Sequence, residues 1–237
     1  MCDPTCSLAR RHWLLAGVAS AAFAGLRLDD ARAAAPPDGP APNSIHPDEA
    51  LARLLQGNAR YAANQPANRD FSAGRVARVS AQYPIAAIVG CADSRVAPEL
   101  AFDQGPGDIF VVRVAGNFIN DDILASLEYG VEFLGVPLII VLGHTNCGAV
   151  EATVKAVKEG VRLPGHLPEL VRAIEPALRI ARAQGGDLIA QTTIENVRLN
   201  TNRLMVARPL VERYVKSGRV KVVGGIYDLA TGNVRLI

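Results

Sequence analysis

A cysteine, an aspartate and an arginine stand together at Cys91-Ala92-Asp93-Ser94-Arg95, and a histidine and a second cysteine at His144-Thr145-Asn146-Cys147-Gly148. Zinc takes Cys sulfur, His nitrogen and carboxylate oxygen, and a catalytic zinc keeps three protein ligands with a fourth position open. His144 and Cys147, at i and i+3 across one turn, can point at a common centre, with Cys91 as the third ligand. Soft thiolates favour zinc over magnesium or calcium. Asp93 and Arg95 can pair, which keeps the carboxylate ionised and fixed as an acceptor. Left free, the same carboxylate could bind the metal and close the site. On spacing alone the competing readings are inert buried cysteines and an ordinary loop-stabilising ion pair.

Such residues need elements that bring them together. The Cys91 loop follows an apolar run, Ile85 to Gly90 (IAAIVG), and the His144 loop follows another, Pro137 to Leu142 (PLIIVL). Both read as fully buried parallel strands. In open α/β sheets ligand sites form beyond the carboxyl ends of strands, at the switch point, so the two turns can converge. A helix opens at His46-Pro47-Asp48-Glu49, with Leu51, Leu54, Leu55 and Tyr61 on one face. Residues 65–84 are polar, with a short helix expected near Gly74 to Gln82. A turn of helix at Pro98 to Phe102 precedes strand Ile109 to Val114. Asp121 is expected to cap a helix reaching Leu134, and another follows over Ala149 to Glu159. Helices are also expected from Glu169, from Asp187 to Arg203 and from Pro209 to Lys216. Strands Arg219 to Tyr227 and Asn233 to Leu236 flank Ala230-Thr231-Gly232 as a terminal hairpin. The alternation predicts an α/β fold, a mainly parallel β-sheet flanked by helices and closed by that hairpin.

The chain has 237 residues, 49% of them apolar, and a net charge of +2. That suits one α/β domain with appendages and gives no basic stripe for nucleic acid; no apolar run is long enough to span a bilayer. Residues 1–33 read as an export signal: Arg10-Arg11 precede an apolar stretch from Trp13 to Leu26, and Ala31-Arg32-Ala33 offers a small-x-small cleavage site. The pattern resembles a bacterial twin-arginine signal, which implies a periplasmic or otherwise exported protein. Residues 34–45 read as a Pro/Ala-rich linker, leaving 46–237 as the functional domain. Cleavage would remove Cys2 and Cys6 and leave Cys91 and Cys147. Zinc loaded before export would protect both thiolates from oxidation.

Together the motifs resemble the β-class carbonic anhydrases, from about Pro47 to Leu236. Cys-x-Asp-Ser-Arg stands at 91–95 and His-x-x-Cys-Gly at 144–148. FDQGPGDIFVVRVAGN (102–117), SLEYGVEFLGV (126–136) and VVGGIYDLATGNV (222–234) are similar too. Val114 departs from the family, in which many members have Asn after the arginine.

The resemblance implies reversible hydration of carbon dioxide to bicarbonate and a proton. One Zn2+ per chain would sit on Cys91, His144 and Cys147, and Asp93, paired with Arg95, would accept a hydrogen bond from the zinc hydroxide. Gln82, Phe110 and Tyr129 match the substrate-contacting residues of the plant-like subtype, and the Gly148 N–H matches an oxygen-binding donor. The other subtype has a tryptophan where Ile88 stands, so an inhibitory bicarbonate pocket is not expected. A homodimer or homotetramer, with the site near an interface, is also implied. The alternatives are a related zinc hydrolase of carbon disulfide or carbonyl sulfide and a non-catalytic zinc or redox-sensing domain. His166, after a Pro-Gly turn, reads as a solvated loop residue.

Overall fold

The computed structural model of the chain describes residues 40–237. The export signal expected at 1–33 and the first half of the linker, residues 34–39, lie outside the described residues. Within them the chain forms α1 (Pro47–Ala62), α2 (Phe71–Ala77), β1 (Ala86–Gly90), α3 (Pro98–Ala101), β2 (Ile109–Arg113), α4 (Asp121–Phe133), β3 (Leu138–His144), α5 (Gly148–Glu159), α6 (Leu167–Gln184), α7 (Leu188–Met205), α8 (Leu210–Lys216), β4 (Lys221–Tyr227) and β5 (Val234–Leu236). The strands join in the order β2-β1-β3-β4-β5. The first four are parallel, and β5 returns antiparallel to β4 as the expected hairpin.

The sheet is covered on both faces, which is why β1 and β3 are apolar at nearly every position. Ala87, Val89, Ile139 and Val141 pack against Leu127 and Val131 of α4, Val197 and Leu204 of α7 and Val211 of α8. The alternate residues Ala86, Ile88, Leu138, Ile140 and Leu142 pack against Ala50 and Leu54 of α1 and against Phe102. The topology also fixes where a site can form. From β1 the chain crosses outward to β2, and from β3 it crosses the other way to β4. The adjacent carboxyl ends of β1 and β3 therefore form the switch point, where Cys91 follows β1 and His144 ends β3.

Several boundaries differ from the sequence reading. The third strand runs through His144, two residues past the apolar run, because Gly143 and His144 pair with Ile226 and Tyr227. The short helix lies at 71–77 rather than 74–82, with Asp70 Oδ1 accepting from the Ser72 N–H at 2.9 Å at its start. Asn120, not Asp121, caps α4: its Oδ1 accepts from the Ile123 N–H at 2.9 Å. The sixth helix starts at Leu167, with Pro168 in its first turn, where the missing N–H costs nothing. The linker reading also ends early. Asn43 is buried, and its Nδ2 donates to the carbonyls of Pro84 (3.1 Å) and Leu134 (2.7 Å).

Helix α1 is held close by two small or polar residues. A Cβ on Gly57 would come within 1.9 Å of the Phe102 carbonyl oxygen, so only glycine allows this approach. Asn58 Nδ2 donates to the carbonyls of Ala101 and Gly232, each at 2.8 Å, while its Oδ1 accepts from the Val234 N–H at 2.8 Å. One side chain thus ties α1 to α3 and the hairpin.

Asp103 anchors the polar segment after α1. Its carboxylate accepts from Arg60 Nε at 2.6 Å, from Arg69 Nη1 at 2.5 Å and from the Ala67 N–H at 3.1 Å. Burial alone would raise its pKa, but the Arg69 and Arg60 guanidiniums and the Ala67 amide outweigh that and lower it. A depressed carboxylate adds stability that is fully present above its unfolded pKa of about 3.9 and lost as pH falls through the folded value. Asp103→Asn is expected to cost about 1–3 kcal/mol at pH 7. Thermal melts of parent and variant should converge as pH drops towards about 2; an undiminished gap there would refute this assignment.

Candidate metal centre

The site is assembled by strand ends and one tight turn. Cys91 leaves β1, His144 ends β3, and Cys147 is the residue before the first turn of α5. Between the last two, Asn146 adopts φ 54°, a left-handed conformation that asparagine tolerates better than most residues. That turn folds Cys147 back towards His144. All three residues are buried, and their ligand atoms lie within 4.8 Å of one another. Val150 and Val154 of α5 and Ile174 and Leu178 of α6 wall the cysteines off from solvent.

The donor set fits zinc. The cysteines are free, with their sulfurs 4.0 Å apart. Two thiolates on one tetrahedral zinc, each at about 2.3 Å, would stand about 3.8 Å apart. His144 Nδ1 lies 2.9 Å from the Thr145 carbonyl oxygen, so Nδ1 carries the proton and Nε2 the lone pair. That Nε2 is buried with no hydrogen-bond partner among the described residues. An orphaned imidazole nitrogen beside two thiols is accounted for by a cation on the same lone pairs.

The charges agree. The Cys91 thiol is lowered well below the usual range by the Cys147 thiol, against the opposing effect of burial, with His144 and the Gly116 amide also contributing. Cys147 is raised by that same Cys91 contact and by burial. The pair therefore parts with one proton easily and holds the second. For His144, burial disfavours the imidazolium, but the Cys91 sulfur and the Thr145 carbonyl outweigh it and raise the pKa. A divalent cation competes with these protons, so its binding releases them.

Asp93 and Arg95 pair as the motif implies. Arg95 Nε donates to Asp93 Oδ1 at 2.9 Å, Nη2 donates to Oδ2 at 2.7 Å, and the Arg95 backbone N–H donates to Oδ1 at 2.9 Å. This Arg95 clamp holds the carboxylate far below the ordinary range against partial burial. Asp93 Oδ2 is also 3.8 Å from His144 Nε2, so an ionised, restrained acceptor borders the cluster. Arg113, part of the matched stretch 102–117, has a role at the site that the sequence did not assign to it. Its Nε donates to the Cys91 carbonyl at 2.8 Å and its Nη2 to the Asp93 carbonyl at 2.6 Å, pinning the loop that carries both. Its place in the FVVR run, pairing with Gly90 at the end of β1, was the available signal.

The other expected site residues fall in different places. Gly148 opens α5 beside Cys147, where helix geometry leaves its N–H without an intrahelical acceptor. Phe110 and Tyr129 are together, with ring centroids 6.4 Å apart, and Phe133 stacks on Tyr129 at 5.4 Å. Phe110 pairs with Ala87, three positions below the Gly90–Arg113 level, so it lies about 10 Å down the edge strand from the Cys91 loop. Within one chain these aromatics flank the sheet, away from the Cys-His-Cys cluster. Gln82 is exposed on the segment leading into β1.

Similarity to known proteins points the same way. The carbonic anhydrase family profile matches residues 86–234. Over 196 residues the chain is 40% identical to a carbonic anhydrase of Mycolicibacterium smegmatis, covering 82% of this chain and 95% of that one. It is 38% identical to carbonic anhydrase 2 of Mycobacterium tuberculosis over 82% of this chain and 94% of the relative. A solved structure of a Coccomyxa β-carbonic anhydrase in complex with acetazolamide superposes with TM-score 0.62 at 28% identity, covering 79% of this chain and 86% of that one. A tetrameric β-carbonic anhydrase of Sordaria macrospora shares the fold, with TM-score 0.64 at 21% identity over 80% of this chain and 97% of its own. Family match and long-range identity agree with a Cys-His-Cys cluster at the switch point of a parallel sheet, and the chain belongs to the β-class carbonic anhydrases.

Proposed function

We propose that the chain catalyses the reversible hydration of carbon dioxide to bicarbonate and a proton, with zinc as its resident metal. The observation that carries the proposal is the convergence of Cys91, His144 and Cys147 beside an ionised acceptor, Asp93, paired with Arg95. Zinc on those residues supplies a Lewis acid that lowers the pKa of coordinated water to about 7. Asp93 Oδ2, held by Arg95 on the cluster's flank, accepts the nucleophile's remaining hydrogen and so orients its lone pair. Because Asp93 stays ionised, it serves as an acceptor throughout the working range. The Gly148 N–H, at the positive end of α5, favours the oxygen that gains negative charge as bicarbonate forms. The α5–α6 wall excludes bulk water behind the sulfurs. A structural site would need neither Asp93 nor its clamp.

Stopped-flow hydration on the purified chain, with metal content measured on the same sample, tests the proposal. Two thiolates offset the cation's charge and acidify bound water less than three neutral imidazoles would, so the rate should rise with pH above neutrality. A profile flat from about pH 6 to 9 would contradict that. Full zinc without hydration would redirect attention to carbon disulfide or carbonyl sulfide.

Three finer assignments belong to the same reading. The site is of the plant-like, open type, supported by the Asp93–Arg95 pair and by Ile88, fully buried where the other subtype has tryptophan. The working unit is a homodimer or larger, supported by the exposed Tyr129 and Phe133 beside Phe110, which in a second copy would meet the cluster this chain's own aromatics do not reach. The protein is exported by a twin-arginine-type signal, supported by Arg10-Arg11, the apolar stretch after them and Ala31-Arg32-Ala33.

A further inference from the structure

Helix α7 carries polar side chains where it packs inward. Asn196 and Asn200 are buried, one helical turn apart on one face, and Arg203 continues the row. Asparagine is a poor helix former, and a buried amide costs several kcal/mol unless hydrogen-bonded. All three side chains bond to the loop between β2 and α4. Asn196 Nδ2 donates to the Gly116 carbonyl at 2.8 Å, Asn200 Oδ1 accepts from the Ile119 N–H at 2.8 Å, and Arg203 Nη1 donates to the Ile119 carbonyl at 2.8 Å. Asn200 Nδ2 also donates to the Asn196 carbonyl at 2.8 Å and to its Oδ1 at 3.2 Å, so the two amides act as one unit.

The loop held in this way reaches the metal centre through a backbone amide. The Gly116 N–H donates to Cys91 Sγ at 3.3 Å. Gly116 adopts φ 84°, and a Cβ there would come within 2.7 Å of Ile174 Cδ1. Its backbone can reach the sulfur only as glycine, and its carbonyl is the atom Asn196 grips.

We propose that the Asn196–Asn200–Arg203 row of α7 is a positioning device for the metal centre, fixing the 115–119 loop so that the Gly116 amide donates to the Cys91 sulfur and steadies its hold on the cation. The inference rests on the reading of Cys91, His144 and Cys147 as metal ligands. An amide on a thiolate fixes the direction of the sulfur lone pairs. Without it Cys91 is free to rotate and the cation leaves sooner. Partners of this kind are commonly worth 10–100-fold in metal affinity. Asn196 acts through Gly116, so the lower end is expected.

The test uses the full chain loaded with cobalt(II), whose sulfur-to-metal charge-transfer band reports the thiolates directly. Metal loss to excess chelator is timed alongside. Asn196→Ala is expected to lose cobalt about 10-fold faster and to shift the band, and Arg203→Met to move both less and in the same direction. Leu204→Ala is the control, fully buried on the same helix in an apolar cluster. It should melt at lower temperature yet keep the parent band and loss rate. Parent-like behaviour of Asn196→Ala overturns the inference, as does an equal effect in Leu204→Ala, which would reduce the row to general support of the helix. If Asn196→Ala fails to fold, Arg203→Met decides, because Arg203 is exposed. A parent chain that shows no thiolate band overturns the ligand assignment itself.

Discussion

Cys147→Ser is expected to lose metal and carbon dioxide hydration together, the rate falling by at least about 1,000-fold because the acidified nucleophile goes with the cation. The sulfur is one of three donors, and a serine hydroxyl is a harder, far less acidic group in the same space. The residue is 1% exposed, so water cannot readily stand in for the missing ligand. Serine is close to cysteine in volume, so the fold should survive with a cost near the average single substitution, about 1 kcal/mol. Far-ultraviolet circular dichroism and metal analysis on one sample separate these outcomes. A folded variant that still holds one zinc per chain and turns over at the parent rate would remove Cys147 from the ligand set.

Arg95→Ala should have the next largest effect, by the opposite route: metal kept, rate lost. Arg95 occupies both Asp93 oxygens, and Asp93 Oδ2 already lies 3.8 Å from His144 Nε2. Freed from the guanidinium, the carboxylate is a better ligand than water and needs only a small rotation to reach a cation at the cluster. The expected result is a rate about 100- to 1,000-fold lower near neutrality, the scale of losing one preorganised group, with zinc content unchanged. The rate should recover partly at high pH, where hydroxide competes with the carboxylate. In the parent, the Asp93 pKa is depressed, so the acceptor is fully ionised above the ordinary carboxylate range and fails only in strong acid. A variant with parent-like rates at pH 7 would show that Arg95 does not restrain Asp93.

How much of this could be read from the sequence varies by element. The strands under Cys91 and His144 were legible because a parallel strand buried on both faces must be apolar throughout, a pattern little else produces. The ligands stood out because Cys91 and the His144–Cys147 pair each follow a buried-strand run, the place where ligand sites form in a parallel sheet. Arg113 was hidden: an arginine at a strand end usually reads as a solvated edge, and its role depends on carbonyls 20 and 22 residues away in sequence. Asn196 and Asn200 were hidden for a related reason. Mid-helix asparagine reads as a solvent face until the partner loop, 80 residues back, is seen against it. Asn43 fell inside a Pro- and Ala-rich stretch whose composition carries no sign of the two carbonyls it meets. Phe110 and Tyr129 were matched by resemblance, and their distance from the cluster cannot be inferred from spacing along one chain.

The strand order bears on how this protein comes to exist as a metalloenzyme. The sulfurs of Cys91 and Cys147 are separated by 56 residues of sequence and meet only where β1 lies against β3, a pairing that encloses the whole of β2 and α4. Closing so long a connection is entropically slow and precedes any reward from the contacts it brings. A cation held by Cys91, His144 and Cys147 together would therefore complete its coordination only after β1 and β3 have paired. Bound to the folded chain and not to the unfolded one, it would act as a lock on the finished sheet.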